Sequence, residues 1–266
     1  MYRAFNLSSI KNLPEYYEPG RHVMENQRRQ IRHSLDQFLS LQGIIDGREL
    51  ENNWFPQIDC SVFISHAHAD ENLAISLMGY LKKHFGIDAF VDSTVWGYAD
   101  ELLMSIDKLH CFNSEKKTFI YENRNTSTAH VHAILCAALT KMLDRTESLF
   151  ILSTVDSITA QSAVKESTTH SPWIYYELTV SELLQKPLER HFGRKELLEK
   201  AEAHTQMFSA REMMSLKVEY PVNIERLPKI CEELLDRWVI ANNENPLKNP
   251  LDVLYSMFPQ NRGRIV

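Results

Sequence analysis

The sequence predicts an α/β protein built on a doubly wound, mostly parallel sheet. Three observations predict it. Short apolar, β-rich runs stand at "SVFIS" (61–65), "IDAFVD" (87–92) and "SLFILS" (148–153), as expected of central strands buried on both faces. Helical stripes of apolar residues separate them. The segment 60–92 reads strand, amphipathic helix, strand, which is a βαβ unit with a right-handed crossover.

Residues 1–20 read as irregular, closed by "EPG", and 21–43 as a helix striped by Ile31, Leu35, Phe38 and Leu39. "NNWFPQ" (52–57) breaks that helix, so 1–57 is expected to be an N-terminal helical extension. The core is expected over 58–190. Its first helix buries Ala74, Leu77, Met78 and Leu81 and ends at "FG" (85–86). A helix striped by Val131, Ile134, Leu135, Ala138 and Met142 precedes "SLFILS", and "FNSEKKTFIYENRNTST" (112–128) reads as an insert. The polar run 154–170 reads as mobile until a ligand binds, and a helix over 171–186 stops at Pro187. Residues 191–266 are expected to add helices and a last strand: a charged helix near 193–204, a strand in "LKVEYPV", and a helix near 227–240 carrying Ile230, Leu234 and Trp238. Strands alternating with helices complete the doubly wound pattern.

Composition narrows the function classes. With 266 residues, 44% of them hydrophobic and 10% aromatic, the chain can bury a real core, which excludes general disorder. A net charge of -6 argues against a primary nucleic-acid binder. The basic run "NQRRQIRH" (26–33) reads as a solvated helix face. Cys60, Cys111, Cys136 and Cys231 are widely spaced without a CxxC, and read as reduced, mostly buried thiols of a cytoplasmic protein. No N-terminal apolar h-region and no apolar window near 18 residues is present, so neither export nor membrane spanning is expected. No GxGxxG or GxxxxGK[ST] motif exists, which leaves Rossmann-type and P-loop chemistry unsupported. "HAH" (66–68) and "HVH" (130–132) with Cys136 have zinc-like spacing, but the second lies on a packing helix and no matched third cluster exists, so no metal is expected.

Open α/β sheets bind ligands beyond the carboxyl ends of their strands. Ser65, His66 and Asp70 follow the first strand, Asp92, Ser93 and Trp96 the second, and Ser153 ends the third. "SPWIYYEL" (171–178) begins a helix with Ser171 as N-cap and Pro172 in the first turn, placing Trp173 and Glu177 four residues apart on one face. Ser-His could equally cap the next helix, Asp70 reads equally as N-cap or ligand contact, Gly97 could simply supply a positive-φ turn, and Tyr176 either orients Glu177 or packs outward.

"VFISHAHADENLAISLMGYLKKHFGIDAFVD", "WGYADELLMSIDK", "LFILS" and "SPWIYYEL", in that order over 60–186, resemble a Toll/interleukin receptor (TIR) domain of the bacterial NAD-cleaving, antiphage type. The resemblance implies a flavodoxin-like fold and cleavage of NAD+ as substrate, without a further cofactor. It implies Glu177 as the catalytic carboxylate and Ser65, His66, Asp70, Asp92, Trp96, Trp173 and Tyr176 as substrate-binding candidates. Trp96 and Gly97 would shape a loop that gates the pocket and mediates self-assembly. Implied partners are NAD+, further copies of the chain and an effector or trigger protein, with no nucleic acid and no membrane. Two alternatives stand beside this one: a non-catalytic TIR adaptor acting by homotypic assembly, and a related nucleoside-processing enzyme such as a deoxyribosyltransferase. The stretch 112–147 is longer than the family places there.

Overall fold

The computed structural model describes residues 2–10, 13–30, 46–91, 93–155, 157–160, 167–184 and 220–259, with the side chains of 30, 93–98, 159 and 160 outside that set. Five strands lie side by side in the order β10 (Lys229–Ile230), β1 (Arg3–Ser8), β6 (Ser148–Ser153), β2 (Val62–Ser65) and β3 (Ala89–Val91). Every pairing is parallel. Helices cover both faces, so the expected doubly wound α/β class holds.

One face carries α1 (Tyr17–Gln30), α3 (Glu71–Phe85), α7 (Glu232–Glu244) and α8 (Pro250–Ser256), packed over Phe5, Leu7, Val62, Ile64, Phe150 and Leu152. The other carries α2 (Gly47–Trp54), α4 (Ser93–His110), α5 (Tyr121–Arg145) and α6 (Pro172–Leu183), over Ala4, Phe63, Phe90, Leu149 and Ile151. Alternate residues of each strand therefore feed different cores, which is why their sequences read as continuous apolar runs. The predicted α3 stripe of Ala74, Leu77, Met78 and Leu81 is fully buried, and Gly86 caps the helix in the left-handed conformation at φ 66°. Phe85 of α3 stacks on Trp238 of α7 with centroids 3.8 Å apart, locking the C-terminal helix to the core.

The N-terminus departs from its sequence reading. Residues 3–8 form a central strand, paired along its whole length with β6, so this part of the expected helical extension belongs to the sheet. Asn6 interrupts the apolar run "AF-L" and hides it from a pattern search. "EPG" opens α1 instead of closing a loop: Pro19 sits in the first turn, where the missing N–H costs nothing, and Gly20 is needed where α1 crosses α3. The Ile31–Leu39 stripe and the charged helix near 193–204 lie outside the described residues.

Four further readings change. The stretch after β3, read as a Gly-bearing loop around Trp96 and Gly97, is helical backbone from Ser93, because Ala99, Leu102 and Ile106 give α4 a buried stripe. The insert is a short hairpin of β4 (Phe112–Asn113) and β5 (Thr118–Phe119), followed by the first turns of α5. "YPV" forms β9 (Tyr220–Val222) of a small antiparallel sheet with β8 (Ser167–Thr169) and β7 (Thr159–Ala160), beside α6. Ile230, read as helical, belongs to β10: Pro228 keeps the chain extended until Cys231 starts α7.

Candidate functional site

The register of the sheet shows where the α6-side core changes character. Ala4, Leu149, Phe63 and Phe90 form one apolar row across β1, β6, β2 and β3. Two residues nearer the carboxyl ends, the next row reads Lys229, Asn6, Ile151 and Ser65. Beyond it Ser8 pairs with Ser153. The sheet thus turns polar on this face at the end where α/β folds bind ligands. Asn6 is 3% exposed and Ser65 1% exposed, and neither the Asn6 Oδ1 nor the Ser65 Oγ has a hydrogen-bond partner among the described residues. Buried polar atoms in that state are uncommon in folded proteins.

Glu177 stands on α6, the helix that packs on this face of the sheet. As the sequence predicts, Ser171 caps α6, its Oγ accepting from the Ile174 N–H at 3.3 Å, with Pro172 in the first turn. Ile174 and Leu178, on either side of Glu177 along the helix, join the core shared with Phe63 and Ile151. Glu177 itself is 0% exposed. A carboxylate in such a setting carries a desolvation cost that few structural glutamates bear.

A chain of hydroxyls sets where α6 lies. The Ser157 hydroxyl donates to the Leu152 carbonyl at the end of β6 (2.6 Å) and accepts from the Thr154 N–H (2.8 Å). The Thr169 hydroxyl donates to the Ser157 carbonyl (2.7 Å) and accepts from the Ser171 N–H (3.2 Å). The Thr154 hydroxyl donates to the Asp70 carboxylate at 2.5 Å. One continuous path therefore joins the turn after β2 to the end of β6 and on to the cap of α6. The described parts of 154–170, expected to be mobile, are this anchor.

The candidate residues divide as follows. Ser65 and His66 are buried at the end of β2. Asp70 stands at the N-cap position of α3 without making a side-chain cap; its carboxylate serves Thr154 instead. Trp173 is half-buried on α6, its indole edge-on to His132 of α5 at 6.0 Å. Tyr176 neither packs outward nor is shown to orient Glu177: it is half-buried against α5, its hydroxyl 2.6 Å from the Thr140 Oγ1 and donating to the Cys136 carbonyl at 2.9 Å. Burial there pushes the phenol up to about 12, so it stays protonated. Asp92 lies outside the described residues, and Trp96 is placed only as backbone of α4.

Asn6, Thr154, Ser157 and Thr169 escape the sequence reading. An Asn between Phe5 and Leu7 was the available signal for the first, and hydroxyls crowding both sides of the α6 start for the others. The four cysteines are free, Cys60 and Cys111 buried, Cys136 and Cys231 half-buried. Among the described residues no group of three or more His, Cys, Asp or Glu is arranged to hold a metal ion, and no helix is long and apolar enough to cross a membrane. Compared with protein-family models, curated proteins and solved structures, the chain finds no match in any of the three.

Proposed function

We propose that this chain is a TIR-type NAD+ nucleosidase that breaks the nicotinamide–ribose bond, depleting NAD or making an ADP-ribose-derived signal in prokaryotic antiphage immunity. The observation that carries the reading is the fully buried Glu177, on a helix tethered to the end of β6 and, through Thr154 and Asp70, to the turn after β2. That hydrogen-bonded path joins the turn after β2, the end of β6 and the start of α6.

The chemistry asks for little more than a fixed carboxylate. Nicotinamide in NAD+ is cationic, so the C1′–N bond breaks with its electron pair going to the ring nitrogen, and nicotinamide leaves neutral without a general acid. Positive charge develops on the ribose as an oxocarbenium, and a carboxylate beside it stabilises that charge in a medium from which water is excluded. Water, or a nucleophile of the substrate itself, then takes C1′ and gives linear or cyclised ADP-ribose. Trp173 would cover the leaving base.

The test is NAD+ turnover followed by mass spectrometry of products, for wild type and Glu177→Gln. Removing one preorganised charge-stabilising group costs about 100- to 1,000-fold in rate, so kcat should fall by that much while the fold persists. Wild-type turnover that survives in Glu177→Gln refutes the reading.

One observation favours the adaptor alternative. Met104, Leu109, Phe112, Phe119, Ile120 and Tyr121 are exposed around the end of α4, the β4–β5 hairpin and the start of α5. A cluster of that kind suits assembly. Self-association that is lost in Phe112→Ser with Phe119→Ser, but kept in Glu177→Gln, would support it.

A further inference from the structure

We infer that the hydrogen bond from the Thr154 hydroxyl to the Asp70 carboxylate is a clasp that holds the site shut, and that its release admits the ligand. The inference rests on the proposed nucleosidase reading for what the clasp controls, and on the topology of the sheet for where it lies.

From β2 the chain runs through α3 to β3 on one side; from β6 it runs through α6 and on to β10, at the opposite edge of the sheet. α3 packs on one face and α6 on the other. β2 and β6 are themselves neighbours. The crevice outside their carboxyl ends is therefore the switch point at which open α/β sheets take ligands. Asp70 closes the turn after β2 and Thr154 follows β6, so their 2.5 Å bond joins the two loops that flank this crevice. Beneath it the site is covered: Ser65 is 1% exposed, His66 4% and Glu177 0%. A ribose cannot touch a carboxylate that has no accessible surface, so a Glu177 that acts on one must first be uncovered.

The clasp is built to open at small cost, because both of its ends have other partners at hand. Asp70 occupies the N-cap position of α3 yet caps no N–H there, so on release the helix start can receive its carboxylate. The Thr154 Oγ1 already accepts from the Ser157 N–H at 3.2 Å and lies 3.4 Å from the Ser157 Oγ. The Ser157 and Thr169 hydroxyls, in contrast, satisfy main-chain carbonyls at 2.6 and 2.7 Å, and keep the start of α6 seated when the clasp lets go. The part that moves is the turn 66–70, where His68 and Ala69 are exposed. While the closed state dominates, apparent affinity is reduced by the fraction of molecules that are open.

The experiment compares wild type with Thr154→Val, Thr154→Ser and Asp70→Ser in two readouts. One needs no substrate: carbethoxylation of His66 by diethylpyrocarbonate, read by mass spectrometry against the exposed His68 and accompanied by thermal melting. The other is NAD+ turnover. Thr154→Val removes the clasp. Asp70→Ser removes it from the other side and leaves an N-cap residue whose hydroxyl stops one bond short of the aspartate oxygens. Each should speed labelling of His66 about 10-fold, the net of a charge-assisted bond lost and a cap gained. In Thr154→Val, KM should fall about 10-fold with kcat within about 3-fold, because more of the protein is competent to bind. Thr154→Ser keeps the hydroxyl and should stay within about 3-fold of wild type in both readouts. His66 labelling that quickens in neither clasp variant overturns the inference, as does faster labelling with a KM that does not fall while wild type turns over NAD+. Faster labelling in both variants, in a protein that neither binds nor cleaves NAD+ in any form, keeps the clasp and overturns the nucleosidase reading instead.

Discussion

Replacing Gly79 by alanine tests the packing that seats the N-terminal strand. Gly79 lies in the middle of α3, where α1 crosses with almost no separation between the two backbones. A Cβ on Gly79 would fall 2.1 Å from the Tyr16 carbonyl oxygen and 2.6 Å from the Gly20 nitrogen. Ordinary contact needs at least 3.4 Å, and both obstacles are backbone, so no side chain can swing aside. The start of α1 must move off by more than an ångström. A gap of ~0.5–1 Å already forfeits about a quarter to a half of each dispersion contact, and α1 faces α3 along much of its length. Against this, alanine gains ~1 kcal/mol of helix propensity over glycine. Overpacking at the upper end of the usual ~1–3 kcal/mol, or somewhat beyond, leaves a net loss of roughly 2–3 kcal/mol. For a domain of this size that lowers the melting temperature by about 4–12 °C. Gly47→Ala is the matched control: its Cβ would meet nothing within 4 Å, at the first position of α2, and its melting temperature should stay within about 2 °C of wild type. Calorimetry or circular dichroism on the three proteins decides it. A Gly79→Ala protein as stable as the Gly47→Ala control would refute the close crossing.

Two further outcomes follow from the hydrogen bonds. Tyr176→Phe removes a hydroxyl bonded only to α5, where Thr140 still satisfies the Cys136 carbonyl at 2.8 Å, so the melting temperature should fall by about 2–4 °C and NAD+ turnover stay within about 3-fold; a turnover loss above about 10-fold at unchanged stability would put Tyr176 in contact with substrate. Burial, with Lys83 adding to it, holds the His84 imidazole below its ordinary 6.5, while its Nε2 lies 2.9 Å from the Tyr16 hydroxyl. The unfolded chain therefore takes up this proton first, and stability present above 6.5 is lost as pH falls toward the folded value. His84→Gln should flatten the acid side of the melting-temperature profile between about pH 7 and pH 5, and an equally steep profile would refute the assignment.

Helix α3 shows what a one-dimensional pattern carries well. Its apolar spacing, its glycine stop and the two strands beside it all follow from rules acting within 33 residues, and each is found where expected. The Ser171 cap is legible for the same reason: donor and acceptor are three residues apart. The N-terminal strand is not local in this sense. β1 owes its place to β6, some 145 residues away, and to β10 at the far end of the chain. "RAFNLS" contains too few apolar residues to announce a central strand. The described parts of 154–170 mislead in the opposite direction. Hydroxyl-rich composition reads as loop, yet Ser157 and Thr169 bond the backbone across the segment and fix the start of α6. Glu177 could be located on its helix from spacing, but its complete burial depends on the layer formed by α5, β8 and β9 around α6.

The placement of polarity in this sheet argues for function more strongly than any single motif. A sheet selected only for stability would repeat the Ala4–Leu149–Phe63–Phe90 row toward its carboxyl ends. Here the next row substitutes an amide and a hydroxyl at two of its buried positions, each costing ~1–3 kcal/mol if left without a partner. A domain's whole stability is only ~5–15 kcal/mol, so such positions are a substantial fraction of it. Within the strands of the five-stranded sheet the cost falls at one end of one face, and it is the face to which the hydroxyl chain from Leu152 to Ser171 secures the helix bearing Glu177. Random loss of apolar residues would not respect face, end and layer together.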